Sequence, residues 1–247
     1  MIHPTAVISE HASLGGNVSV GPFSVIDENV SIGDNCSIGP SVHLTGHTEV
    51  GANCKIPKGA VIGDEPQDIS YTGFTAYTKI GSGTVIREYA TIHRGSKPET
   101  ATVIGDNCML MAFSHIAHDC QLGDNVIVAN NTIVAGHVEI DSKAIISGNV
   151  AIHQFCKIGS MAMVGGYSKI NQDIPPFSLV DHDSNIIGLN AIGMKRNGID
   201  AKERKIIREA FKQIFLSGRQ RKEALNEFLE NYLNLENVRY YLEFISA

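Results

Sequence analysis

The chain has 247 residues, a net charge of −6 and 43% hydrophobic residues, of which few are aromatic. An acidic chain lacks the basic surface typical of nucleic-acid-binding proteins, so no nucleic-acid partner is expected. No apolar stretch approaches the ~20 residues of a membrane span, and the first residues carry no basic or apolar segment of a secretory signal, which together predict a cytoplasmic protein.

A six-residue period runs from Ile2 to Ile170. Of the 29 positions reached from Ile2 in steps of six, 26 carry Ile, Leu or Val, and a small residue usually stands two positions earlier. This period fits neither an α-helix nor a plain strand. Hexapeptide repeats indicate a parallel β-helix, here a triangular prism with three hexads per coil. Residues 18 apart in sequence should then stack on neighbouring coils, about 4.8 Å apart.

Two breaks in the period predict two loops thrown out from the prism. The first spans 64–79 and includes Asp68 and Phe74, two of the three exceptions to the aliphatic pattern. The second spans 95–102 and includes the third exception, Pro98. Loops inside a strict repeat are often functional, because insertions tend to gather on a binding face.

All five cysteines occupy the small inward-facing register of the repeat. They are Cys36, Cys54, Cys108, Cys120 and Cys156. Each number is a multiple of six, which predicts a packing role rather than metal binding, disulfide formation or nucleophilic catalysis.

The repeat is expected to fill residues 1–178 and to end near Pro175-Pro176. From about Ile186 the apolar residues follow a helical period, which predicts a C-terminal helical domain over 186–247. We interpret this domain as a cap over the open end of the prism, because uncovered strand edges invite aggregation.

A column of polar residues is the candidate functional site. His118 falls in neither inward-facing register, so it should stand at a corner of the prism. Gly136 and Gln154 follow at intervals of 18, which puts one of the three residues on each of three successive coils. Further histidines flank this column: His115, His137 and His153.

These residue types suit acid–base catalysis. A neutral imidazole with its ordinary pKa of ~6.5 can act as a general base. Asp119 could orient the His118 ring, and the Gly136 N–H could donate to a developing oxyanion. The alternative is a non-catalytic prism with a ladder of hydrogen-bonded polar side chains. Because small-molecule sites are concave and a prism wall is flat, the column should face a neighbouring subunit of a homotrimer.

Seven stretches of the chain, taken together, are specific enough to point to one family. They are Ile62-Gly63 with Pro66-Gln67-Asp68, Thr91 to Gly95, His115 to Cys120, Ala135 to Val138, His153 to Phe155, Met163 to Gly166, and Asp173 to Pro176. With these stretches the chain resembles the bacterial UDP-N-acetylglucosamine O-acyltransferases over nearly its whole length. The resemblance implies a mainly β fold, a left-handed parallel β-helix with a C-terminal α-helical domain. It also implies transfer of a 3-hydroxyacyl group from acyl carrier protein to the 3-position of UDP-N-acetylglucosamine, the first step of lipid A biosynthesis.

The resemblance also implies roles for individual residues. His118 would be the general base, supported by Asp119, and the backbone of Gly136 would serve the oxyanion. Asp68 would hold the sugar, supplied by a neighbouring subunit, and Gly166 would lie where acyl-chain length is limited. Further substrate contacts are implied for Gln67, His93, His115, His137, His153, Gln154, Asn190 and Arg196. The acyl donor is carried on the phosphopantetheine of acyl carrier protein, so neither a cofactor nor a metal is expected.

Three positions depart from the family pattern, and other functions stay open. Ser70, Ile192 and Asn197 replace a Lys, an acidic residue and an Arg, which would fit a 3-amino analogue of the sugar nucleotide and an amide product. A zinc-dependent lyase with three histidines and a coenzyme A-dependent acetyltransferase are alternatives on the same fold. Basic residues of the C-terminal domain could dock the acidic carrier protein or form a solvated helix face: Lys195, Arg196, Arg204, Lys205, Arg208 and Lys212.

Overall fold

The computed structural model describes residues 1–246 and consists mainly of short strands. The strands are, in chain order, β1 (Val7–Ile8), β2 (Ser13–Leu14), β3 (Ser19–Val20), β4 (Val25–Ile26), β5 (Ser31–Ile32), β6 (Ser37–Ile38), β7 (His43–Leu44), β8 (His47–Val50), β9 (Lys55–Ile56), β10 (Val61–Asp64), β11 (Tyr77–Ile80), β12 (Val85–Ile86), β13 (Thr91–His93), β14 (Ala101–Ile104), β15 (Met109–Leu110), β16 (His115–Ile116), β17 (Gln121–Leu122), β18 (Ile127–Val128), β19 (Ile133–Val134), β20 (Glu139–Ile140), β21 (Ile145–Ile146), β22 (Ala151–Ile152), β23 (Lys157–Ile158), β24 (Met163–Val164), β25 (Lys169–Ile170), β26 (Ser178–Asp181) and β27 (Asn185–Leu189).

Every third strand belongs to the same sheet, so the chain winds around a prism with three walls. Sheet 1 runs β1-β4-β7-β10-β13-β16-β19-β22-β25, sheet 2 runs β2-β5-β8-β11-β14-β17-β20-β23, and sheet 3 runs β3-β6-β9-β12-β15-β18-β21-β24-β26-β27. All neighbouring strands are parallel except β26 and β27. The predicted fold class, a parallel β-helix of hexapeptide repeats followed by helices, is confirmed.

The register of the sheets follows the 18-residue coil predicted from the sequence. Val7 pairs with Val25, and His115 pairs with Ile133. Two coils are longer. Val61 pairs with Thr91 and Thr91 pairs with His115, so these coils contain 30 and 24 residues. The extra residues form loop 1 (65–76) and loop 2 (94–100), which fall at the two predicted breaks.

The prism has three corners, defined by the sheets that they join. Corner 1 leads from sheet 1 to sheet 2, corner 2 from sheet 2 to sheet 3, and corner 3 from sheet 3 back to sheet 1. Most corners turn through one residue with positive φ, and Asn occupies many of these positions. Asn tolerates this left-handed conformation better than most residues with a side chain.

The interior of the prism is filled by the two inward-facing registers of the hexad. The aliphatic residues of the repeat and the small residues beside them form one continuous buried core. All five cysteines are buried in it as free thiols, which confirms their predicted packing position. Burial raises the pKa of the Cys54 thiol to about 11 and that of Cys120 to about 12. These thiols are therefore protonated at neutral pH and are poor nucleophiles.

The C-terminal region begins with a hairpin rather than a helix. The helical pattern expected from about Ile186 begins only at Ala191, because residues 185–189 pair antiparallel with β26 and extend sheet 3. The helices are α1 (Ala191–Arg196), α2 (Ala201–Phe211), a π-helical segment (Lys212–Leu216), α3 (Arg221–Tyr232) and α4 (Glu236–Ser246). No helix within residues 1–246 is long and apolar enough to cross a membrane.

A second apolar core attaches these helices to the prism. It joins Met161 and Phe177 of the prism to buried residues of all four helices, such as Met194, Ile207 and Tyr241. The Tyr240 hydroxyl, on α4, donates to the carboxylate of Asp141 and accepts from the Ser160 N–H at 2.8 Å. The helices are thus fixed against the last coils of the prism by both apolar and polar contacts.

Candidate active site

Corner 1 carries both loops and the polar column. Loop 1 connects β10 to β11 and loop 2 connects β13 to β14, and both connections run from sheet 1 to sheet 2. They lie on the two coils immediately before the coil of His118. Strict stacking therefore gathers both insertions and the column at one edge of the prism, where a substrate could meet all of them.

The predicted column is present, and Gly136 makes room for the His118 ring. The His137 N–H donates to the His118 carbonyl at 3.0 Å, and the Phe155 N–H donates to the Gly136 carbonyl at 3.2 Å. A Cβ at Gly136 would lie 2.6 Å from His118 Cε1 and 2.8 Å from its Nε2. Side chains essentially never approach so closely, so glycine is required here for a close approach of the imidazole.

The His118 ring is oriented by the next residue in the chain. Its Nδ1 lies 2.9 Å from Oδ2 of Asp119, and the two side chains are 14% and 9% exposed. An ionised carboxylate only accepts hydrogen bonds, so Nδ1 of His118 must carry the proton in this pair. The neutral ring then has its free electron pair on Nε2, which is the protonation state that a general base needs.

Loop 2 holds Asp119 from the other side. The Ser96 N–H lies 3.2 Å from Oδ1 and 3.1 Å from Oδ2 of Asp119, and the Ser96 hydroxyl donates to Oδ2 at 2.6 Å. Burial alone raises the pKa of the Asp119 carboxyl, but hydrogen bonds from Ser96, Thr100 and His118 outweigh it. The net pKa of Asp119 lies below its ordinary value, so this carboxylate is ionised at neutral pH.

Two further rings pack around this pair. His137 Nε2 lies 3.7 Å from Oδ2 of Asp119, and the His137 ring meets the His118 ring edge to face at a centroid distance of 5.1 Å. Phe155 stacks on His137 with centroids 4.8 Å apart and planes only 6° apart. His137 is thus fixed between two neighbours. Gln154 and His153, on the same coil as Phe155, are exposed.

His115 and His93 continue the site along sheet 1. His115 Nδ1 lies 2.7 Å from the Thr91 hydroxyl, and burial followed by the charge of His118 lowers the pKa of His115. His93 packs edge to face on His115 with centroids 5.0 Å apart. Burial, with a further contribution from His115, lowers the pKa of His93 to about 4. His93 is 6% exposed, so its imidazole is buried within the site.

Loop 1 brings Asp68 toward the column of its own chain. Oδ1 of Asp68 accepts hydrogen bonds from the N–H and the hydroxyl of Ser70, both at 2.8 Å. These bonds, and after them the charges of His118 and His137, lower the pKa of the Asp68 carboxyl. Loop 1 leaves the same corner as His118, so Asp68 and His118 of one chain lie at one edge of the prism. That a neighbouring subunit supplies Asp68 stays a prediction. Gln67, beside it, is exposed.

Three predicted residues lie away from corner 1. Gly166 is at corner 3, where it lies over Gly148. Asn190 caps α1 by accepting from the Gly193 N–H at 2.8 Å, and its amide donates to the Met161 carbonyl of corner 2 at 2.9 Å. Arg196 is exposed in the last turn of α1. A single chain does not bring these residues to the column.

The column also contains the set of atoms that a metal site would need. His118, Asp119 and His137 each offer one ligand atom, and these atoms lie within 4.8 Å of one another. However, Oδ2 of Asp119 already accepts hydrogen bonds from Ser96 and faces His118 Nδ1. These hydrogen bonds describe an oriented acid–base pair, which favours proton transfer over the zinc-site alternative.

Comparisons with known proteins agree with this geometry over the whole chain. Residues 173–247 match the family described as UDP N-acetylglucosamine O-acyltransferase, domain 2, and residues 29–64 and 101–136 match bacterial transferase hexapeptide repeats. An acyl-[acyl-carrier-protein]–UDP-N-acetylglucosamine O-acyltransferase of Sulfurihydrogenibium is 56% identical over all of this chain and 92% of its own length. The protein of that name from Thermodesulfovibrio yellowstonii is 43% identical over all of this chain and 96% of its own length.

Solved structures give the same result. The UDP-N-acetylglucosamine acyltransferase of Francisella novicida superposes with a TM-score of 0.95 at 35% identity, covering 100% of this chain and 91% of that one. The enzyme from Campylobacter jejuni gives a TM-score of 0.92 at 39% identity, covering 99% and 96%. The chain belongs to the UDP-N-acetylglucosamine O-acyltransferase family.

Two departures from the pattern of UDP-N-acetylglucosamine O-acyltransferases have local structural partners. Ser70 holds Asp68, as described above, and the Asn197 side chain donates to the Gly193 carbonyl at 2.9 Å, where it caps the end of α1. Ile192 is 67% exposed, and nothing in the structure explains this residue. The side chains of Ser70 and Asn197 thus have hydrogen-bond partners within loop 1 and α1, and they stabilise these segments.

The contact of Ser96 with Asp119 is absent from the sequence prediction. Loop 2 lengthens its coil to 24 residues, so Ser96 and Asp119 are 23 apart rather than near the regular spacing of 18. A coil length of 24 residues, in place of 18, would have placed His93 and the start of loop 2 next to the corner of His118. It would not have shown which loop atom meets the carboxylate.

Proposed function

We propose that this protein transfers a 3-hydroxyacyl group from acyl carrier protein to the 3-hydroxyl of UDP-N-acetylglucosamine, the first step of lipid A biosynthesis. The observation that carries the proposal is the His118–Asp119 pair, in which Nδ1–H of His118 donates to the carboxylate and Nε2 carries no proton. Curated relatives at 56% and 43% identity bear the name of this activity, which supports the same chemistry here.

In the proposed mechanism His118 is the general base. Nε2 takes the proton of the sugar 3-hydroxyl while the hydroxyl oxygen attacks the thioester carbonyl carbon. The carbonyl oxygen becomes an oxyanion, to which the Gly136 N–H donates a hydrogen bond. Collapse of the tetrahedral intermediate breaks the carbon–sulfur bond. The departing phosphopantetheine thiolate then recovers the proton from the His118 imidazolium, whose charge Asp119 stabilises.

The remaining site residues are proposed to bind the two substrates. Asp68 and Gln67 on loop 1 would hold the sugar, since the carboxylate oxygen of Asp68 not engaged by Ser70 can accept from sugar hydroxyls. The remaining contacts with sugar, phosphate and acyl chain are assigned to His93, His115, His137, His153, Gln154, Asn190 and Arg196. Gly166 would limit the acyl chain. The basic residues of α1 and α2 would dock the acidic carrier protein.

We further propose a homotrimer with sites between subunits. The predicted substrate residues stand at three different corners of one prism, and corners of neighbouring prisms can meet only in an assembly. Exposed aromatic rings support this arrangement. Tyr89 and Phe113 stack at corner 3 with centroids 5.3 Å apart, and they are 46% and 59% exposed. Apolar patches of this kind commonly mark subunit contacts. Analytical ultracentrifugation should give three times the chain mass, and a monomer would refute this part.

The proposed reaction needs no cofactor of the protein's own, because the carrier protein's phosphopantetheine brings the activated acyl group. The proposed compartment is the cytoplasm. The five free, buried thiols support it, since disulfides are rare among cytosolic proteins.

An acyl-transfer assay tests the proposed function. Purified protein would be offered 3-hydroxyacyl carrier proteins of several chain lengths with UDP-N-acetylglucosamine and, separately, with its 3-amino analogue. Ester formation with the ordinary sugar is the expected result. Turnover of the amino sugar alone would overturn the proposed acceptor. No turnover of either, with metal found in the purified protein, would favour the zinc-dependent alternative.

A further inference from the structure

Ser96 of loop 2 contacts the catalytic pair through both its hydroxyl and its backbone N–H. Ser96 is only 6% exposed, and its hydroxyl and N–H both donate to the Asp119 carboxylate. Oδ2 of Asp119 thereby faces the Ser96 hydroxyl at 2.6 Å and His118 Nδ1 at 2.9 Å. One carboxylate oxygen is thus shared between the loop and the imidazole.

This contact is not one that the β-helix needs. The equivalent corner positions on the following coils carry His137 and Phe155, which turn the same corner without an acidic side chain or a loop contact of this kind. Asp119 itself has a φ of 59°, a conformation that the hexad repeat imposes on many corner residues whatever their side chain. The hydrogen bonds from Ser96 therefore fix the direction of the Asp119 carboxylate rather than the course of the backbone.

We propose that Ser96 is a positioning residue, which holds the Asp119 carboxylate so that His118 keeps its proton on Nδ1 and presents Nε2 to the acceptor hydroxyl. Ser96 acts through Asp119 and touches neither substrate. The proposal rests on the proposed acyl transfer for its kinetic test. It assigns loop 2 a role in catalysis: the loop supplies two of the donors that satisfy a buried carboxylate. Buried polar groups require such partners, and partners behind a reacting group tune its orientation.

The kinetic test is a double-mutant cycle between Ser96 and Asp119. Ser96→Ala should lower kcat by about 10-fold with little change in KM for either substrate. The same substitution in an Asp119→Asn background should have almost no further effect, because the group through which Ser96 acts is already lost. Ser96→Thr, which keeps the hydroxyl, should restore most of the rate.

Ser24→Ala is the matched control. Ser24 is fully buried at the other end of the prism, and its hydroxyl donates to the Gly39 carbonyl at 2.6 Å, the same length as the Ser96 bond. It should lower Tm without changing kcat. The proposal is overturned if Ser96→Ala retains the wild-type kcat, if its effect adds fully to that of Asp119→Asn, or if Ser24→Ala lowers kcat equally.

A titration that does not depend on acyl transfer tests the positioning role of Ser96 separately from the proposed function. The Asp119 carboxyl can be titrated by carbon-13 NMR in wild-type protein and in Ser96→Ala. Because the Ser96 hydrogen bonds lower the Asp119 pKa, removing the hydroxyl should raise it. If wild-type protein shows no acyl transfer but the Asp119 pKa rises in the variant, the proposed function fails and the positioning role stands. An unchanged Asp119 pKa would overturn the positioning role whatever the activity.

Discussion

Corners 1 and 2 are built from the same hexapeptide repeat, but their polar side chains have different partners. At corner 2 polar side chains accept hydrogen bonds from backbone N–H groups of the preceding coil. Gly16 N–H donates to Asp34 at 2.6 Å, Ser82 N–H to Asp106 at 2.7 Å, Asp106 N–H to Asp124 at 2.8 Å, and Asp124 N–H to Ser142 at 3.0 Å. At corner 1 the His118 ring lies over a glycine, and Asp119 is held by an inserted loop.

The difference separates a structural ladder from a reactive site. A ladder of hydrogen-bonded polar side chains, the alternative considered for the His118 column, is found at corner 2. There each acceptor satisfies a neighbouring N–H. At corner 1 the Nε2 atom of His118 remains free, and glycine at position 136 keeps space beside it. The same repeat thus yields stability at one edge and chemistry at another, depending on whether the polar atoms are already paired.

The largest effect is expected from Asp119→Asn at corner 1. Asn tolerates the left-handed backbone of this position, so the fold should persist. The amide no longer enforces a proton on His118 Nδ1, and kcat should fall by at least about 100-fold. The matched control at corner 2 is Asp124→Asn, which should leave kcat unchanged. Equal losses of kcat in both variants would contradict the assignment of catalysis to corner 1 and of a structural role to corner 2.

Gly136→Ala should have the next largest effect on activity. The new methyl group would lie 2.6 Å from His118 Cε1, so the ring must move and Nε2 leaves its position. We expect kcat to fall by about 10-fold to 100-fold, since small misplacements of a catalytic group are costly. Gly16→Ala at corner 2 is the control, because its Cβ would meet only ordinary contacts beginning at 3.6 Å. A wild-type rate for Gly136→Ala would show that the close approach is unimportant.

His93 makes corner 1 sensitive to acid. Its folded-state pKa of about 4 lies below the ordinary value of 6.5, so the unfolded chain binds a proton more readily than the folded one. This contribution is complete above pH 6.5 and is lost as the pH falls toward 4. Between about pH 7 and pH 5 the wild-type protein should lose about 2 kcal/mol of stability from this group.

His93→Gln should lose less stability over that range, as measured by urea denaturation at one fixed protein concentration. The exposed His182 provides the control substitution, His182→Gln. Identical pH dependence in wild type and His93→Gln would contradict the buried, neutral state of His93.

Asp124→Ala should give the smallest effect, and on stability alone. It removes the acceptor of the Asp106 N–H, an exposed hydrogen bond that contributes modestly. Differential scanning calorimetry should show a Tm lowered by a few degrees with kcat unchanged. A loss of kcat without a loss of Tm would mean that corner 2 also takes part in the reaction.

Much of the fold and part of the site follow from spacing alone. The hexad period fixes which residues stack, so the column of His118, Gly136 and Gln154 can be predicted from the sequence. The paths of the loops and of the chain after the last coil do not follow from this period. The contact between Ser96 and Asp119 depends on the path of an insertion, and the β26–β27 hairpin depends on pairing with the last coil of sheet 3. Asn190 shows a third limit of the sequence. Asn is common both as a helix cap and as a ligand contact, so its residue type does not distinguish the two roles.

The most direct test of the central claim is the acyl-transfer rate of His118→Ala beside wild-type protein, at one pH and with saturating substrates. We expect kcat to fall by about 100-fold to 10,000-fold, with an unchanged Tm and assembly state. A His118→Ala protein that keeps the wild-type rate would contradict this expectation, and corner 1 would then be one more structural edge of the prism.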